Sequence, residues 1–85
     1  MINSLFSDKH SAVIARASSW TISLLRFQLS DQFSTPLFII TKTYQYKRES
    51  ELYYFSPIAQ RAFQRFIAEY QRETGELYVL QIMEV

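Results

Sequence analysis

The sequence predicts an α+β fold. About four strands form a mostly antiparallel sheet, and one long amphipathic helix packs on one face, in the order β-β-β-α-β. Three observations carry this. A single well-delimited helical pattern runs from Ser56 to Gly75. Before it lie three stretches rich in β-branched and aromatic residues, and after it one more, L-Y-V-L-Q-I-M-E-V. Segregation of one helix from a run of strands, without alternating β-α units, is the pattern of α+β rather than α/β architecture.

The helix has clear punctuation. Ser56 is placed to cap it, since its hydroxyl can accept an orphan N–H of the first turn. Pro57 then occupies the first helical position, where a missing N–H costs nothing. Gly75 sits just past the end, where a left-handed residue is wanted. At 100° per residue Ala59, Phe63, Phe66, Ile67 and Tyr70 fall on one stripe, which predicts the buried face. Arg61, Arg65 and Arg72 cluster within about 40° on the opposite side.

Before the helix the elements are read in turn. Ser7 and Asp8 can cap a short N-terminal helix through Ala12, Val13, Ile14, Ala15 and Ala17; the same residues also alternate as a strand, and the alanines and the Ser-Asp start favour helix. From Trp20 to Leu29 the pattern is a strand. Trp20, Ile22 and Leu24 alternate with Thr21 and Ser23, then the apolar set switches to Leu25, Phe27 and Leu29. That switch suggests a bulge or a strand covered on both faces. Residues 30–36 form a polar connector ending in Pro36. Leu37 to Lys47 is β-rich, with Phe38, Ile40, Tyr44 and Tyr46 on one face and Lys42 interrupting it. Arg48-Glu49-Ser50-Glu51 reads as a charged reversal, returning through the short strand Leu52-Tyr53-Tyr54-Phe55.

After Gly75 both alternating sets of the last strand are apolar: Leu77, Val79, Met83 and Val85 against Tyr78, Leu80 and Ile82. This is how a strand buried on both faces looks. A strand–helix–strand passage would lay it parallel to the third strand. The helix covers only one face of the sheet. The other needs a cover, which an N-terminal helix, a second copy in a homodimer or a binding target can supply.

Composition bounds the function. With 85 residues the chain is expected to be one domain, 1–85. Its 48% hydrophobic content is ample for a core, and 16% aromatics are more than so short a chain needs inside. The net charge of +1 gives no general basic excess of the kind nucleic-acid-binding domains carry. No cysteine means no disulfide framework and no thiolate chemistry. The N-terminus lacks the basic start and apolar stretch of a signal peptide, and the longest apolar run, Leu37–Ile40, is far short of a membrane span. A cytoplasmic location with no membrane association is the plain reading.

Catalytic constellations are absent by count. The single histidine, His10, rules out His-pair zinc motifs and Cys–His pairs, and reads as an ordinary surface residue. One glycine cannot build a phosphate loop or a nucleophile elbow. The pairs Glu49/Glu51 and Glu69/Glu73 look like solvated charge, with Glu69 spaced to pair with Arg65 and Arg72. No catalytic residue, metal ligand or cofactor is therefore expected, and an enzyme is disfavoured.

Two features point outward. Arg61, Arg65 and Arg72 form a guanidinium strip suited to carboxylates or phosphates, although a merely solvated face explains it too. Tyr44, Tyr46, Tyr53 and Tyr54 stand beside Lys42, Lys47 and Arg48, an aromatic-basic hairpin; tyrosine and arginine are enriched in interface hot spots, and aromatic platforms also stack bases. Cross-strand aromatic pairing is the structural reading of the same residues. The sequence thus suggests a non-enzymatic protein-binding module, with Arg61, Arg65, Arg72, Tyr44, Tyr46, Lys47 and Arg48 as the partner-binding set and another protein or a nucleoprotein complex as the partner. In size and style alone the chain resembles phage-encoded inhibitors of host defence such as anti-CRISPR proteins; no motif supports the resemblance. The alternative is a small nucleic-acid-binding regulator using the arginine face or the tyrosine hairpin.

Overall fold

A computed structural model describes residues 12–28 and 36–84. His10, the Ser7-Asp8 cap, most of the connector before Pro36 and Val85 lie outside the described residues. The fold is α+β: five antiparallel strands with one helix packed on the sheet. The strands are β1 (Ala12–Arg16), β2 (Trp20–Phe27), β3 (Leu37–Tyr44), β4 (Lys47–Tyr53) and β5 (Val79–Met83); α1 spans Ser56–Thr74. The sheet order is β4-β3-β2-β1-β5. Five strands replace the expected four, in the order β-β-β-β-α-β.

The extra strand is β1, in the segment expected to be helical. Its alanines favour a helix only locally. As a strand it gains ladders on both sides, pairing antiparallel with β2 (Val13↔Leu24, Ala15↔Ile22) and with β5 (Val13↔Ile82, Ala15↔Leu80). The alternation then buries Val13 and Ala15 completely under the helix side. The turn into β2 is closed by the Ala17 N–H donating to the Trp20 carbonyl at 2.9 Å.

β2 carries no bulge. Its register with β3 is continuous from Trp20↔Tyr44 to Phe27↔Leu37. The switch in apolar phase has a simpler cause: Trp20, Ile22 and Leu24 face the core, while Leu25 and Phe27 point to the other side of the sheet.

The reversal between β3 and β4 is also shifted. It is a two-residue turn at Gln45-Tyr46, not the charged stretch 48–51, and Gln45 takes a left-handed φ of 55°. Arg48, Glu49, Ser50 and Glu51 are instead strand residues, opposite Thr43, Lys42, Thr41 and Ile40. Charge marks the reversal less than it marks an edge: β4 is an outer strand, and charged side chains are what keeps an edge from pairing with another chain.

The helix matches its expected phase. Ala59, Ala62, Phe63, Phe66 and Ile67 are buried, and Tyr70 is half-buried. Its start moves by one residue. Phe55 takes the cap position with extended φ and ψ, Ser56 is the first helical residue, and the Ser56 hydroxyl accepts from Gln60 Nε2 rather than capping. Gly75 ends the helix in the left-handed region at φ 70°, donating its N–H to the Gln71 carbonyl at 2.7 Å. The helix lies chiefly over β2 and β3 and more lightly over β4. Its end is fastened by Trp20, whose Nε1 donates to Thr74 Oγ1 at 3.0 Å and whose ring meets Tyr70 edge-on at 5.8 Å.

β5 departs most from expectation. It runs in the same direction as β4, as a strand–helix–strand passage requires, but pairs antiparallel with β1 at the opposite edge of the sheet. Every residue of β5 is exposed. Among the described residues, apolarity on both sides therefore marks a bare edge here, not a strand buried on both faces.

Candidate partner-binding surface

The hairpin half of the sequence-predicted surface lies at the β4 edge of the sheet, and the arginine half lies along the helix, where Arg65 comes within electrostatic reach of Glu51 and Tyr53. In the hairpin, the turn at Gln45-Tyr46 is tied down by the Gln45 N–H donating to the Ser19 carbonyl at 3.4 Å. It carries Tyr46 fully into solvent. Lys47 and Arg48 are exposed beside it, but strand alternation sends them to opposite faces, Lys47 toward the helix side and Arg48 toward the other. Tyr44 is different. It is half-buried, with its ring 5.6 Å from that of Tyr70. Of the four hairpin residues, Tyr46 projects from the turn, Lys47 and Arg48 lie on opposite faces of the strand that follows, and Tyr44 serves mainly to pack the sheet against the helix.

Arg61, Arg65 and Arg72 are all exposed along α1. Arg65 reaches Glu69 at 3.9 Å one turn on and lies over the Phe66 ring at 5.1 Å. Arg72, in the last turn, also complements the partial negative charge of the helix C-terminus. The strip is thus interleaved with acid rather than uniformly basic.

Between helix and hairpin lies a charge network the sequence pattern showed only as a break. Lys42 sits on the core side of β3 between Ile40 and Tyr44, its side chain only 11% exposed. Its Nζ lies 3.8 Å from the centre of the Phe66 ring. It donates to Glu51 at 2.8 Å and stands 3.7 Å from Glu49, its direct cross-strand partner. Tyr53 donates its hydroxyl to the same Glu51 carboxylate. Burial by itself lowers the Lys42 pKa, but the hydrogen bond to Glu51 and the charges of Glu51 and Glu49 outweigh it and hold it above the ordinary lysine value. The hydrogen bonds from Lys42 and Tyr53 in turn hold Glu51 below the ordinary carboxylate range. Tyr53 is raised, first by burial and then by its bond to Glu51. The only sequence signal for this network was a lysine within an otherwise apolar alternation.

A second polar cluster lies at the same end of the sheet as the hairpin turn, beside Ser19. The Glu76 carboxylate accepts from the Ser18 and Ser19 hydroxyls and from the Ser19 N–H, which clamps the β1–β2 turn to the loop after the helix. These bonds hold the Glu76 pKa below its usual value. Partners almost sixty residues apart leave no trace in local sequence.

On the other side of the helix the character changes. Phe63, Gln64, Ile67, Ala68 and Gln71 of α1 face Tyr78 and Leu80 across a groove of about 300 Å³ that bears no charged side chain. Among the described residues no group of three or more His, Cys, Asp or Glu side chains is gathered as a metal would require, and no helix is long and apolar enough to cross a membrane. No protein-family model matches the chain, and no curated protein or solved structure is significantly similar to it.

Proposed function

We propose that this chain is a non-enzymatic protein-binding module that works in the cytoplasm by occluding or assembling a partner protein or nucleoprotein complex, in the manner of small phage-encoded inhibitors of host complexes. Its binding set comprises Arg61, Arg65 and Arg72 with Tyr46, Lys47 and Arg48, and with Tyr44 holding the hairpin in place. The observation that carries this reading is Tyr46. A fully exposed tyrosine occupies a turn in which its neighbour Gln45 adopts a left-handed φ, a position where asparagine or glycine would be less strained. An aromatic ring fully in water contributes nothing to the core, and tyrosine is a typical anchor for an interface.

A protein is favoured over a nucleic acid by the surrounding acids. Glu69 pairs with Arg65, and Glu49 and Glu51 line the adjacent edge. Each would repel phosphate but can pair with a basic residue across a protein interface. The test is affinity capture from native lysate with and without nuclease, comparing the parent chain with Tyr46→Ala/Lys47→Glu and with all three helix arginines changed to Glu. Loss of a nuclease-resistant partner in both variants, with circular dichroism unchanged, is the expected result. Retention of full binding by both overturns the assignment. A nuclease-sensitive partner whose affinity falls steeply with salt would replace it with the nucleic-acid reading.

A further inference from the structure

We infer that β5 is a self-pairing edge, through which two copies of this chain join their sheets antiparallel about a two-fold axis at Gln81. The inference stands on β5 alone and is independent of the hairpin surface. The two edges of the sheet differ sharply in character. β4 reads K-R-E-S-E-L-Y, with four charges in seven residues. β5 reads V-L-Q-I-M, with none. Charged side chains, proline and bulges are the usual devices against edge pairing. β4 has the first, and β5 has none of the three.

The edge is also apolar on both sides. Leu77, Val79, Leu80, Ile82 and Met83 are between 39% and 87% exposed, five large hydrophobic residues within seven positions. The register with β1 places Leu80 and Ile82 on the helix side and Val79, Gln81 and Met83 on the open side. The outer edge of β5, away from β1, offers main-chain N–H and C=O groups that an added strand can pair.

The occupant follows from self-complementarity. An antiparallel pairing centred on Gln81 sets Gln81 opposite Gln81, Leu80 opposite Ile82 and Val79 opposite Met83. Aliphatic meets aliphatic at every apolar position, and the central amides can donate to and accept from each other. Cross-strand pairs of this kind are what stabilises a sheet. Because the axis stands perpendicular to the sheet, both helices lie on the same face. The uncharged flanks formed by Gln64, Ala68 and Gln71 then face each other over a shared Leu80/Ile82 cluster. Within the paired strands no charge meets another, whereas pairing through β4 would force Arg48, Glu49 and Glu51 against a second strand. Five-residue strands bury less than the ~800 Å² per partner of a standard interface, so the dimer should dissociate on dilution, with Kd on the order of micromolar.

The test uses the full chain, whose 85 residues include no cysteine, so an introduced thiol is the only one. Residues directly opposite in an antiparallel pair have Cα atoms about 4.5–5.5 Å apart, within the range a disulfide spans. Gln81→Cys should therefore oxidise to a covalent dimer, while Ser50→Cys, at the middle of β4, should not. Sedimentation across a dilution series should show a monomer–dimer equilibrium, weakened at least tenfold by Ile82→Lys with circular dichroism unchanged. A strict monomer at millimolar concentration, species larger than a dimer, or a dimer that Gln81→Cys fails to trap overturns the inference. Should Ile82→Lys fail to fold, the crosslinking comparison decides alone.

Discussion

Changing Glu51 to Gln should damage the fold more than removing the lysine it neutralises. Lys42 is almost wholly covered, with its ammonium over Phe66 and its main hydrogen bond to Glu51. A hydrogen bond to a charged group contributes about 1.5–3 kcal/mol when well buried. The Glu51 side chain is 40% exposed, so solvent screening brings this to the lower end. Against that, Glu51→Gln leaves a covered ammonium with only Glu49, at 3.7 Å, to balance it. A net cost of about 1–2 kcal/mol follows, and for a domain of this size each kcal/mol shifts Tm by about 4–8 °C. Lys42→Met removes the charge but keeps a chain that can lie on Phe66. The carboxylates left behind are exposed enough to hydrate, so its cost should stay below about 0.5 kcal/mol or become a gain. The same network fixes the pH response. Glu51 titrates lower in the folded chain than unfolded, so its contribution is complete above the ordinary glutamate pKa and disappears as pH falls through the lowered value. Lys42 titrates higher when folded, so its contribution is complete below the ordinary lysine pKa and disappears as pH rises through the raised value. Thermal melts of parent, Glu51→Gln, Lys42→Met and the double variant, from pH 3 to 11, measure both effects. The acid limb should flatten in Glu51→Gln, and the double variant should recover most of the single loss. If Lys42→Met proves the more damaging, or the two costs simply add, the ammonium is not held by Glu51 as argued.

Two further outcomes concern the helix. Phe63 is completely buried at its centre, and Phe63→Ala should cost about 3–5 kcal/mol in a urea titration; a change under 1 kcal/mol would contradict the phase of the helix. Gly75→Ala should cost about 1 kcal/mol by the same titration, all of it backbone strain at φ 70°, because a Cβ there meets nothing within 4 Å; an unchanged midpoint would mean that the chain leaves the helix by another route.

What could be read from the sequence divides by how local its cause is. The helix, its buried stripe and its stop at Gly75 were legible because Pro57, the 100° periodicity and the glycine act within a few residues. β1 was not, because Val13 and Ile14 favour a strand locally while the alanines favour a helix; pairing with β2 and β5 on either side decides it, and tertiary pairing overrode alanine propensity. The turn was misplaced because Gln45-Tyr46 lacks the residues that normally announce a left-handed reversal, while the charges at 48–51 imitate one. Of the proposed binding residues, exposure of the arginines followed from helix phase alone. The half-burial of Tyr44 depended on Tyr70, twenty-six positions away, and was invisible locally.

For β5 the local pattern states that both sides are apolar but does not name what covers them. Apolar residues on both sides of a strand state only that both sides seek cover. Read as a strand buried on both faces, β5 was expected to take its cover from the helix on one side and from an N-terminal helix, a second copy or a binding target on the other. Here the helix spends its breadth on β2, β3 and β4, and β5 lies at the edge with both faces open. The other edge shows that this chain can protect an outer strand, since it set charges at four of the seven positions of β4. An edge left without charge, opposite one so heavily charged, fits a strand whose neighbour lies in another molecule. The apolar pattern that does not describe a strand buried within one chain thus fits a strand paired edge to edge with a second copy. The trapping of Gln81→Cys, set against Ser50→Cys on the charged edge, is the measurement that separates these two meanings.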